Sequence, residues 1–146
     1  MARPQFLLPM TMQKTPDWRL HFDAFLASRL RAPFVWGVND CAIFAADAVL
    51  AMTGQDPAPA GLRGHRTARQ ATRTLHRHGE LQGIATAALG EPVLTAEPAE
   101  GDVVLVRTGK RHALAIANGQ GGAFGPAAAG LAVAPLGGPV LCWRVC

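Results

Sequence analysis

Residues 33–54, PFVWGVNDCAIFAADAVLAMTG, decide how this chain is read. A polar pair, Asn39 and Asp40, precedes Cys41 at the head of a long apolar run. The run predicts a helix from about Asp40 to Thr53, stopped by Gly54. Ala42, Ile43, Phe44, Ala45, Ala46, Ala48, Val49, Leu50 and Met52 make it apolar almost all round, so it belongs in the middle of a core. Asp47 is the exception. It either supports a site or pairs with Arg144 or Arg19; pairing is favoured because an isolated buried charge is too costly to keep.

Upstream, Thr15 is placed to cap a first helix, with Pro16 at its first position and Asp17 complementing its dipole. Trp18, Phe22, Phe25 and Leu26 give this helix one apolar face, and Pro33 ends it. Downstream, QDPAPAGLRG is a loop by its proline and glycine content. RTARQATRTLHRHG reads as a third helix, with Ala68, Ala71, Thr72 and Leu75 inward and Arg66, Arg69, Arg73 and Arg77 largely outward. A short helix follows over ELQGIATAALG. Beyond Pro98 the runs GDVVLVRTG, HALAIANG, GLAVAPLG and VLCWRVC predict at least four short antiparallel strands. Helices first and strands second give an α+β domain. Residues 1–15 are read as an arm and 16–146 as one domain.

A chain of 146 residues can bury a core without metal or disulfide staples. Its apolar content of 49% against 16% charged residues argues for a globule rather than a disordered chain. No apolar run is long enough to span a membrane, and MARPQFLLPM lacks a cleavage signal. Three cysteines without an export signal argue against a disulfide framework; Cys142 and Cys146 are read as buried thiols or a frayed end. The net charge of +4 suits anionic partners in general.

Cys41 is either a small buried hydrophobe or a nucleophile. At a helix start, unpaired backbone N–H groups and the dipole favour the thiolate. An ionised Asp40 beside the sulfur opposes that; an Asp40 that caps the helix does not, and the sequence allows both.

The stretch FVWGVNDCAIFAAD resembles the cysteine motif of the NlpC-type cell-wall peptidases, which are papain-like. GDVVLVRTGKRHALAIANG resembles their second motif, a Gly-Asp strand followed by a histidine-led strand. The chain resembles still more closely small phage and prophage proteins encoded among tail genes, which share the ending seen here in Gly130-Leu131, Pro135-Leu136 and Trp143-Arg144-Val145. The likeness covers roughly residues 18 to 145. It implies a papain-like α+β fold with Cys41 as nucleophile, His112 as its base, a third polar group orienting the imidazole, and Trp36 and Asp40 along the substrate groove. It further implies peptidoglycan stem peptides and other tail-tip or baseplate proteins as partners. The expected location is the host cytoplasm during assembly and then the virion tail, with no cofactor.

Two departures from that pattern matter. Aligning Leu114-Ala115-Ile116 to the family's apolar run puts Ala113 in the histidine slot, and one residue along a strand reverses the face unless a bulge near Lys110-Arg111 intervenes. The following GGAFGP strand offers no His, Asn or Gln, which leaves Asn118 and Gln120 as candidates for the third group. A non-catalytic tail adaptor of the same fold is therefore the alternative function. His65, His76 and His78 do not have metal-ligand spacing. The arginines of the third helix could meet phosphates, but without stacking or base-reading residues nucleic acid is not the favoured partner.

Overall fold

The computed structural model describes residues 12–146. Helices α1 (Trp18–Arg29), α2 (Cys41–Thr53), α3 (Ala68–Arg77) and α4 (Glu80–Leu89) come first. Strands β1 (Val93–Thr95), β2 (Val103–Thr108), β3 (Arg111–Ala117), β4 (Gly122–Ala127), β5 (Gly130–Pro135) and β6 (Val140–Trp143) follow. They form one antiparallel sheet in the order β1-β6-β2-β3-β4-β5, with the last strand returning between the first two. The architecture is α+β.

The centre is α2, as its composition requires. Asp40 is its N-cap, and Gly54 closes it at φ 78° with its N–H on the Leu50 carbonyl. Phe44 is fully buried and tilts against Phe25 of α1 with ring centroids 5.1 Å apart. Burying a side chain of that size contributes roughly 1.5–3 kcal/mol. On the other side of α2 lies the sheet. Side chains alternate faces along a strand, so Val103, Leu105, Leu114 and Ile116 meet the helices. Val104, Ala115, Ala117 and Cys142 form a smaller core on the opposite face. Trp143 is fully buried and donates its indole N–H to the Thr86 hydroxyl of α4 at 3.1 Å.

Several expectations are corrected. Thr15 does not cap α1; its hydroxyl donates to Asp17 Oδ1 at 2.9 Å, and the residues before Trp18 form a turn. The helix also stops before Pro33, and the Leu30 carbonyl accepts the Leu131 N–H of β5 instead. In α3 the inward residues are Ala71 and Thr74; Ala68 and Thr72 stay exposed, and Thr72 donates to the Ala68 carbonyl. β1 was not anticipated: Val93 and Leu94 are both exposed, so this edge strand carries no burial pattern to read.

Asp47 is paired, with other partners than those expected. Arg29 of α1 holds one oxygen at 2.6 Å and Arg63 of the following loop holds the other at 2.8 Å. Arg19 goes to Glu100, while Arg144 goes to Asp102. Both of those arginines meet acids brought close by the turn into β2. Of the arm expected over residues 1–15, residues 1–11 lie outside the described residues. Met12 is buried, and the Thr15 N–H donates to the Met52 carbonyl, so this end rests on α2.

Candidate functional site

The Asn39-Asp40 pair builds the approach to Cys41. Asn39 Nδ2 donates to the Ala32 and Pro33 carbonyls, and its oxygen accepts from Arg29 at 2.8 Å. Asp40 Oδ1 accepts the Ile43 N–H and Oδ2 the Gly37 N–H, both at 2.9 Å. The carboxylate is buried, so Asp40 is a capping and loop-closing group; no side-chain oxygen faces an open groove. Trp36 is half-buried and stands edge-on to Phe34, ring centroids 4.8 Å apart.

Cys41 is the first residue of α2 and is partly buried. Its own N–H and that of Ala42 have no hydrogen-bond acceptor among the described residues. Burial pushes the Cys41 thiol above its ordinary value, and the Asp40 charge adds to this. The nearby backbone N–H groups of Leu114, Ala42 and Cys41 pull it part of the way back. At neutral pH the group is therefore a thiol, held between the start of α2 and the middle of β3.

The strand pairing settles the facing of the histidine. The β2–β3 ladder runs without a bulge from Val103 opposite Ile116 to Thr108 opposite Arg111. A two-residue loop closes it, with Gly109 at φ 65°. His112 therefore shares the face of Leu114 and Ile116, the helix side, whereas Ala113 lies on the face of Ala115 and Ala117. His112 lies two residues from Leu114 on that face, about 7 Å along the strand. It is exposed and makes no side-chain hydrogen bond to a described residue. Its cross-strand neighbour is Arg107.

The third-group candidates are elsewhere. Asn118 follows the far end of β3, six residues from His112, or about 20 Å along an extended chain. Its oxygen accepts the Gln120 and Gly122 N–H groups at 2.7 and 3.0 Å, which shapes the turn into β4. Gln120 is exposed on that same turn. Neither is near the imidazole: His112 lies at the hairpin end of β3 on the side that faces α2, whereas Asn118 and Gln120 lie in the turn beyond its other end.

The sequence considered His65 only for metal binding. In the fold it lies against the Cys41 loop: the Gly64 N–H donates to the Gly37 carbonyl, and a Cβ on Gly37 would collide with the His65 main chain. The His65 Nε2 is buried with no hydrogen-bond partner among the described residues. No local signal marks this position; the contact depends on the loop folding back. Asp102 of the Gly-Asp motif is structural. It is buried and accepts the Ala99 and Val145 N–H groups, the Arg144 guanidinium and the Cys142 thiol.

No helix among the described residues is long and apolar enough to cross a membrane. Residues 13–145 match one family model, described as a domain of unknown function (DUF6950). No curated protein matches the chain significantly. Because the match spans nearly the whole length, the protein belongs to this DUF6950 domain family.

Proposed function

We propose that the chain is an NlpC-type, papain-like domain of a phage or phage-like tail tip that cleaves peptidoglycan peptides by thiol chemistry. One observation carries the chemistry: the unbroken β2–β3 register puts His112 on the face of β3 that packs against α2, the helix that Cys41 begins. The tail setting and the wall substrate rest on the likeness of the sequence motifs. In the reaction His112 takes the thiol proton as the sulfur attacks the scissile carbonyl carbon. The Cys41 and Ala42 N–H groups meet the oxyanion. His112 then returns the proton to the leaving amine, and water hydrolyses the thioester.

A non-catalytic tail adaptor of the same fold is the second reading. Two findings favour it: the thiol is held protonated by burial, and no carboxylate or amide stands beside His112 on β2. One experiment separates the readings. Purified protein and Cys41→Ala are incubated with peptidoglycan and with stem peptides, and released amino groups are counted. The hydrolase reading expects release by the wild type alone. Equal values for both proteins leave the adaptor.

A further inference from the structure

The charge of this protein is not spread over its surface. Residues 57–79 contain five arginines, three histidines and no Asp or Glu, although the whole chain carries only +4. Without this segment the chain is slightly acidic. Arg63 is consumed by Asp47 and Asp56. Arg66, Arg69, Arg73 and Arg77 are exposed and make no salt bridge to a described residue.

Helix geometry then aligns them. At about 100° per residue, Arg69, Arg73 and Arg77 fall within an arc of about 80° and span about 12 Å of axis. Arg66 sits just before the Thr67 cap. Thr72 and His76 complete a shallow surface with these three arginines, while Ala71 and Thr74 hold the opposite face of α3 to the domain. Like charges at i and i+4 destabilise a helix, and no described acid pairs with Arg69, Arg73 or Arg77; Glu80, at the start of α4, goes to His76 at 2.9 Å. An outside anion would.

We propose that this face of α3 binds the phosphodiester backbone of nucleic acid without regard to sequence. Guanidinium groups match phosphate oxygens in a two-pronged geometry. The row of three guanidinium groups is long enough to meet about two to three successive phosphates of one strand. No Phe, Tyr or Trp stands on the face and its one ring, His76, is paired with Glu80, so the contact is to the backbone and not to the bases. That absence lowers the expectation of a sequence-specific binder; it does not bear on a backbone binder. The proposal is independent of the hydrolase reading, because it uses none of the groups around Cys41.

The test is fluorescence anisotropy with a labelled DNA duplex across a salt series, on the full chain. Three proteins are compared: wild type, Arg69→Gln/Arg73→Gln/Arg77→Gln, and the charge-matched Arg31→Gln/Lys110→Gln/Arg111→Gln. Circular dichroism checks that each is folded. The wild type and the charge-matched variant should bind with a log–log salt slope of about −3, as expected for three neutralised phosphates. The α3 variant should lose at least about tenfold in affinity and most of that slope. Absent binding at 50 mM salt, equal losses in both variants, or retention by the α3 variant would overturn the proposal. So would competition by polyglutamate as strong as by unlabelled duplex, which would make an acidic protein the partner.

Discussion

Gly37 and His65 touch through their main chains, 28 positions apart in sequence, and this contact locks the 61–66 loop onto the turn that precedes Cys41. Gly37 has φ 75°, and Gly54 at the end of α2 has φ 78°, but nothing lies within 4 Å of a Cβ at Gly54. The two positions share a backbone conformation and differ only in space. Gly54→Ala should cost about 1 kcal/mol, from the left-handed backbone alone. Gly37→Ala should cost about 2–5 kcal/mol, because strain and collision add. Urea unfolding of both measures the difference; equal losses would refute the packing account.

Asp40 has two roles that substitution can separate. Asp40→Asn keeps an acceptor for the Ile43 N–H and removes the charge that raises the Cys41 thiol. Its alkylation–pH curve should therefore move to lower pH. Asp40→Ala loses the cap and the Gly37 bond, and should unfold about 1–3 kcal/mol more easily. An unmoved alkylation curve in the Asn variant would show that the charge does not reach the sulfur.

The three thiols should react in a fixed order. Cys146 is exposed and reacts first with a disulfide reagent; Cys41 follows slowly, since its thiolate forms only above the ordinary range. Burial, with the Asp102 charge beside it, pushes Cys142 up to about 12. At pH 8 its thiolate fraction is about one in ten thousand. Counting thiols with and without denaturant should give the third equivalent only on unfolding.

Asp102 holds two backbone N–H groups that belong to segments far apart in the chain. Asp102→Ala leaves both buried donors unpaired and should cost about 2–4 kcal/mol. Hydrogen exchange should show β6 opening first. Uniform exchange would argue that the C-terminus is held by its apolar residues alone.

On the hydrolase reading, His112→Gln should lower turnover at least about a hundredfold with little change in stability. Adding Ala113→His should not restore it, because the side chain there faces the smaller core. Recovery in the double variant would remove His112 from the mechanism.

The sequence by itself determined α2 and its limits, the order of helices and strands, and the presence of Cys41 at a helix start. Those features follow from short-range rules: a capping carboxylate, a helical apolar run, a glycine that accepts positive φ. It misplaced the Thr15 cap and the inward threonine of α3, and passed over β1, whose exposed side chains carry no pattern. Only the tertiary structure decided which way His112 faces, that Asn118 and Gln120 shape a turn instead of a site, and that Asp47 takes Arg29 and Arg63. It alone placed His65 beside Gly37. Each of those outcomes is a choice among partners distant in the chain. That choice depends on which segments pack together, and no local propensity contains it.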